Sequence, residues 1–347
     1  MQSICGHLYK IGAKIGSGSF GTVYNATRDD GKKFALKKFI NETNEYDLGT
    51  LREISILKIL QNNEEHYILN MEDLIIEEDN FCIVMKKYHT DLGKVIKKDC
   101  LSYSQKKNIV LKISKALAFL HQNGIIHRDI KPENILLDNN YDPILCDYSL
   151  SKIFNGVSFE GTHTGKVATV TYRAPEVVGK KSYSFPVDSW SMGVLFYELF
   201  SKNDFNATKD TEALTFIKTK MANLKENKLG ATIKGLLHPD PAKRWTPKDV
   251  LKFLFDDDYD PPCVWKGINS CLVSTTIKKI CQDFEIEKRI TRWAAQQYIN
   301  RTKCDVYGAI MVACKFYETE LRDFSDFIEF QDTEKDIFIK MDFNLFV

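Results

Sequence analysis

No run of 18 or more apolar residues occurs in the chain, and no basic leader with an apolar stretch opens it. Neither a membrane-spanning helix nor a secretory signal is therefore expected. The nine cysteines never form a C-x-x-C pair, and an odd number without a leader reads as reduced thiols in an intracellular protein, cytoplasmic or nuclear. None of the seven histidines falls at metal-ligand spacing, which removes a structural zinc site. Excess charge is missing as well: 48 basic against 47 acidic side chains leave +1, so nothing global points to nucleic acid or an anionic membrane. The balance hides an asymmetry, since residues 256–347 carry a net −5 and residues 1–255 a net +6. Opposite signs would favour docking of the two parts, weakly.

What is present is a globular composition, 347 residues with 44% hydrophobic and 27% charged, enough for a large core and two domains. Its richest run is His127-Arg128-Asp129-Ile130-Lys131-Pro132-Glu133-Asn134. An acid able to take a hydroxyl proton stands two residues before a lysine that can hold a phosphate and five before an amide that can bind Mg²⁺. A surface turn with chance charges is the plain alternative, and the full H-R-D-x-K-x-x-N match argues against it.

From Tyr9 to Phe39 the pattern alternates apolar and polar, broken by a glycine-rich stretch and by the hairpin signal Asp29-Asp30-Gly31. An antiparallel meander is expected. Within it lies Gly16-Ser17-Gly18-Ser19-Phe20-Gly21-Thr22-Val23. A dinucleotide site would need a helix directly after the glycines, whereas β-branched and aromatic residues continue here into a second strand. Lys37 ends the apolar stretch Phe34-Ala35-Leu36 and could hold phosphates under that loop. An amphipathic helix is expected over Leu51 to Leu60, with Glu53 placed to pair with Lys37.

These motifs, in this order and spacing, resemble the Ser/Thr protein kinases over about residues 8–256. The likeness is strongest to cyclin-dependent kinases, through Leu51-Arg52-Glu53-Ile54-Ser55-Ile56-Leu57 and Val84-Met85-Lys86-Lys87-Tyr88-His89-Thr90-Asp91-Leu92. The resemblance implies a bilobal α+β fold, an antiparallel N-terminal sheet with one helix followed by a helical lobe, and it implies ATP and Mg²⁺ as cofactors. It assigns Asp129 and Lys131 to the transfer step, with Lys37 and Glu53 as the supporting ion pair. Gly16 to Gly21 would cover the phosphates, while Ile15, Val23, Ala35 and Leu136 sandwich the adenine. Met85 would be the gatekeeper, with backbone groups of Lys86 to Tyr88 reading the base. Asn134 and Asp147 would hold Mg²⁺. Protein substrates bearing Ser or Thr follow, with cell-cycle proteins as partners.

Asp147-Tyr148-Ser149 stands where the family has D-F-G, so the metal-binding acid is kept and the glycine is not. Serine cannot easily reach positive φ, and a restriction on movement of the following loop is expected. That loop closes in Thr169-Val170-Thr171-Tyr172-Arg173-Ala174-Pro175-Glu176. Thr169 resembles the family's substrate-site threonine, and Arg173 resembles the residue that favours proline after the phosphoacceptor. Thr164 falls where the activating phosphothreonine sits, with Arg52, Arg128 and Lys152 as the matching cations for its roughly −1.5 to −2 charges. Phe20 replaces the tyrosine that inhibitory kinases modify. By the same likeness Glu176 should pair with Arg244, and the helix at Asp188 should support the catalytic run. A pseudokinase scaffold is the alternative, resting on Ser149.

The acidic, proline-containing stretch at 257–264 reads as a linker. Beyond it, residues 265–347 show helical spacing through Ile290, Trp293, Ala294, Gln297 and Tyr298 and again from Val306 to Phe316. This part resembles a partial cyclin box, with Lys315 and Glu334 matching the residues through which cyclins hold their kinase; a generic helical extension is the alternative. The likeness implies docking of the tail on the Arg52 and Glu53 helix, within one molecule or across a dimer. Abundant Lys, Asn, Ile and Asp suit an AT-rich genome, such as that of a protist or of a large DNA virus acting in a host cell.

Overall fold

Alternation of side chains across a pleated strand accounts for the first layer of the molecule. The computed structural model describes residues 1, 3, 5–18, 21–39, 48–77, 80–153, 170–201 and 209–262. Ser19, Phe20, Thr164, Thr169, Lys315, Glu334 and the whole segment expected to resemble a cyclin box lie outside them. Five strands, β1 (Tyr9–Gly18), β2 (Gly21–Arg28), β3 (Lys33–Phe39), β4 (Asp73–Glu77) and β5 (Asn80–Lys86), form an antiparallel sheet in the order β1-β2-β3-β5-β4. In β3, Phe34 and Leu36 face an outer cluster with Tyr9, Ala26, Ile75, Cys82 and Val84, whereas Ala35 and Phe39 face the main core. The strand runs two residues past Lys37, so this lysine lies within the sheet, opposite Val23 and Ile83. The β2–β3 hairpin turns at Asp29-Asp30-Gly31, where Gly31 adopts φ +83° and donates to the Arg28 carbonyl at 2.9 Å.

Helix α1 (Leu48–Ile59) crosses between β3 and β4. It begins three residues before the expected start, and it is not amphipathic in the expected sense. Glu53 through Leu57 are consecutive and each no more than 1% exposed, so the burial runs round a full turn. The physical reason is that its polar residues also point at protein partners: Arg52 donates to the Ser149 carbonyl at 2.9 Å, and Glu53 accepts from Lys37.

The larger, helical part follows β6 (Thr90–Asp91). It comprises α2 (Leu92–Lys98), α3 (Tyr103–Gln122), the short strands β7 (Ile125–Ile126), β8 (Ile135–Leu137), β9 (Pro143–Leu145) and β10 (Lys152–Ile153), then α4 (Pro175–Val178), α5 (Pro186–Ser201), α6 (Asp210–Ala222), α7 (Lys228–Leu236) and α8 (Pro247–Phe255). Reciprocal capping boxes, Ser102 with Gln105 and Thr246 with Asp249, start α3 and α8 by satisfying free backbone N–H groups. Helix α5 is buried along most of its length, from Val187 to Phe196. At Gly193 a Cβ would meet Leu236 at 2.8 Å and Leu237 at 2.9 Å, so glycine is what lets α5 and α7 approach. The anticipated pair forms: Arg244 grips Glu176 in a buried fork, Nη1 to Oε1 at 2.6 Å and Nη2 to Oε2 at 3.0 Å. No helix among the described residues is long and apolar enough to cross a membrane.

The stretch read as a linker is tied down at its start. Asp257 pairs with Lys115 of α3 at 2.8 Å, Tyr259 Oη lies 2.6 Å from His66 Nδ1, and Asn123 donates to the Pro262 carbonyl at 3.1 Å. His66 stacks on Phe119, their centroids 4.2 Å apart. Burial pushes the His66 imidazole below its ordinary pKa, against the opposing pull of Glu65. The chain thus leaves the described fold beside the end of α3 and the connection that follows α1.

Candidate active site

Lys37 projects from β3 and donates to both oxygens of Glu53 on α1, at 2.7 and 2.6 Å. Its ammonium also stands 3.9 Å from Asp147 Oδ1. Burial works to lower the Lys37 pKa, but the two carboxylates hold it above its ordinary value, so the lysine stays charged. Asp147 is held below the ordinary carboxylate range even though burial pushes the other way, because Lys37 and Ser149 favour the ionised form. The Ser149 hydroxyl donates to Asp147 Oδ1 at 2.6 Å, and its backbone N–H reaches the same oxygen at 3.3 Å. Among the described residues no donor meets Oδ2. That oxygen is the one left for a cation.

The catalytic run is held from below. Asp188, wholly buried on α5, accepts from the backbone N–H groups of His127 and Arg128 at 2.8 Å each and lies 2.9 Å from His121 Nε2. These bonds hold Arg128 at φ +69°, a left-handed conformation unusual for a long side chain. Two residues on, Asp129 Oδ2 receives Lys131 Nζ at 2.6 Å and Asn134 Nδ2 at 2.8 Å. Asn134 Nδ2 also donates to the Asp129 carbonyl at 2.8 Å. The Asn134 amide oxygen is therefore the group it can offer to a cation, and Asp129 Oδ1, which meets no protein donor among the described residues, can accept a proton. One carboxylate and one amide oxygen suit Mg²⁺, which keeps few protein ligands and fills its shell with phosphate and water. Among the described residues no group of three His, Cys, Asp or Glu side chains gathers as a metal cage.

Above this acid, Ala35 and Met85 pair across β3 and β5 and are buried, with Val23, Tyr88 and Leu136 packed against the same core. Ile15 is not drawn in; it is 41% exposed on β1. Gly16, Ser17 and Gly18 end β1, opposite Val23, Thr22 and Gly21. Lys86 ends β5 with its ammonium 5.8 Å from the Tyr88 ring centre. Arg52 and Arg128 converge on one short stretch, donating to the carbonyls of Ser149 (2.9 Å) and Leu150 (3.1 Å), and Lys152 follows at once on β10. Arg128 Nε is buried with no hydrogen-bond partner. Arg173 is paired with Asp210 of α6 at 3.2 Å.

At Ser149 the structure adds a contact that the expectation did not include. The left-handed residue of this stretch is Asp147, at φ +68°, and Ser149 is not among the residues with positive φ. Serine is therefore unstrained here, and its hydroxyl makes a bond that glycine could not. Sequence reasoning also missed the hydrogen bond between Tyr172 and Glu198 and the His121 partner of Asp188.

Asp188→Asn replaces an acceptor of three donors by a group carrying hydrogens of its own, and should cost about 2–4 kcal/mol. Burial raises the Asp188 pKa, but His121, His127 and the backbone donors outweigh it and lower the value. A carboxyl whose folded value lies below its unfolded value of about 3.9 adds stability that is complete above that pH and lost as pH falls through the folded value. Urea unfolding across pH 2–7 should show this acid-side loss in the wild type, and a smaller one in Asp188→Asn.

The model of the protein kinase domain matches residues 9–255. A cyclin-dependent kinase 4 of Xenopus laevis is 36% identical over 206 residues, a stretch that covers 56% of this chain and 63% of that relative. The chain thus aligns with less than two thirds of that protein's length. The matched segment spans both the sheet that carries Lys37 and the helices that hold Asp129, and the chain belongs to the protein kinase family.

Proposed function

We propose that the protein is an ATP- and Mg²⁺-dependent Ser/Thr kinase of cyclin-dependent-kinase-like type, acting inside the cell. One observation carries this: Asp129, braced by Lys131 and Asn134, is tied to the strand end that carries Asp147, since the Cys146 N–H donates to the Asn134 carbonyl at 3.0 Å, and Asp147 faces the ion-paired Lys37. Asp129 orients a substrate hydroxyl and takes its proton as the oxygen bonds to the γ-phosphorus and the bond to the β–γ bridging oxygen breaks. Lys131 and Lys37 hold phosphate oxygens, and the backbone of the Gly16 to Gly21 turn covers them. Asn134 and Asp147 would hold Mg²⁺, whose charge offsets that of the phosphates. Lys131 two residues after the acid supports Ser/Thr rather than Tyr acceptors. The cation cluster at Arg52, Arg128 and Lys152 supports phosphorylation of Thr164 as the activating event.

Residues 265–347, in this reading, are a tethered cyclin-like segment that docks on α1. One feature supports it: the described chain ends close to the connection after α1, anchored by Tyr259 and Pro262.

With labelled ATP and Mg²⁺, the full chain should phosphorylate a Ser-Pro peptide at least about tenfold better than its Ser-Ala counterpart, and Asp129→Asn should lower transfer at least about 1000-fold. Equal transfer by Asp129→Asn would count against catalysis. Removing residues 263–347 should cut turnover at least about tenfold; undiminished activity would remove the tethered-segment reading alone.

A further inference from the structure

Two neighbouring residues of α1 reach Asp147 by separate routes. Glu53 does so through Lys37, at 2.6 Å and then 3.9 Å. Arg52 does so through Ser149: its Nη1 donates to the Ser149 carbonyl at 2.9 Å, and the Ser149 hydroxyl donates to Asp147 Oδ1 at 2.6 Å. Ser149 is 1% exposed, so water does not compete for its hydroxyl. Both routes end on the same carboxylate oxygen. They fix the carboxylate's rotation about its own axis and leave Oδ2 as the oxygen that meets no donor among the described residues.

We propose that Ser149 is a positioning residue that couples the placement of α1 to the metal-binding carboxylate of Asp147, presenting Oδ2 as a single-oxygen ligand. Glycine at this position would keep the carbonyl for Arg52 and the 3.3 Å backbone N–H contact to Asp147 Oδ1, but would lack the much shorter 2.6 Å hydroxyl bond. The hydroxyl is thus a second link from helix to acid, beside the ion pair. This inference rests on the reading of Asp147 as a metal ligand, so its test separates the two.

The test is binding of Mn²⁺ to the full chain in the presence of ADP, followed by electron paramagnetic resonance. Ser149→Ala should weaken Mn²⁺ binding about five- to tenfold while leaving ADP affinity in EDTA unchanged. Ser149→Thr, which keeps the hydroxyl, should restore it. Unchanged Mn²⁺ affinity in Ser149→Ala, with affinity lost in Asp147→Asn, overturns the role of Ser149 and leaves the site intact. Unchanged affinity in both overturns the site as well. A loss in Ser149→Ala that Ser149→Thr does not restore, or that appears equally for ADP in EDTA, also overturns the proposal, because the hydroxyl is then not the agent.

Discussion

The buried ion pair between Lys37 and Glu53 is the constraint on which the rest of the site depends. Moving two charges out of water costs several kcal/mol per ion, and the attraction offsets this only when the contact is close and well bonded. Here Lys37 meets both oxygens of Glu53 at 2.6–2.7 Å, and the two side chains are 12% and 2% exposed. The pair joins a strand to a helix that no covalent geometry holds together. If α1 moves away, Lys37 keeps only Asp147, 3.9 Å off, and two like-charged carboxylates lose the cation between them.

Because the pair sits where helix meets sheet, α1 has more to do than support. Arg52, next in sequence to Glu53, holds the Ser149 carbonyl from the same helix. Below, Asp188 fixes the run that carries Asp129 by taking two backbone N–H groups into one buried carboxylate. Arg128 and Asp147 both take left-handed conformations, at φ +69° and +68°, at a cost of roughly 1–2 kcal/mol each. That strain persists because Asp188 and the Ser149 contacts surround the two residues with bonds relaxed geometries would break. Asp129 is thus set by a buried partner outside its own run, Asp188, and Asp147 by one within its own tripeptide, Ser149.

How much of this was legible in the sequence depended on the range of the interaction. Asp129, Lys131 and Asn134 lie within six residues, so local spacing brought them together on paper as it does in the fold. Lys37 with Glu53, and Glu176 with Arg244, could be paired through order and family likeness. The burial of α1 round a full turn was not legible, because nothing in the sequence shows that Arg52 reaches the Ser149 carbonyl. The first residues of the linker show the same limit: nothing local in an acidic, proline-containing stretch reveals that Tyr259 reaches His66. Ser149 shows the limit differently. Its identity announced a departure, but only the side-chain direction shows that it adds a bond to Asp147.

The central claim is that the Lys37–Glu53 pair places α1 and so sets the rate of phosphoryl transfer. Steady-state kinetics of the full-length Glu53→Gln variant test it most directly, since glutamine keeps the shape and removes the charge. A fall in kcat of at least about 100-fold, with KM for ATP changed less than about tenfold, is the predicted result. A kcat equal to that of the wild type would contradict it.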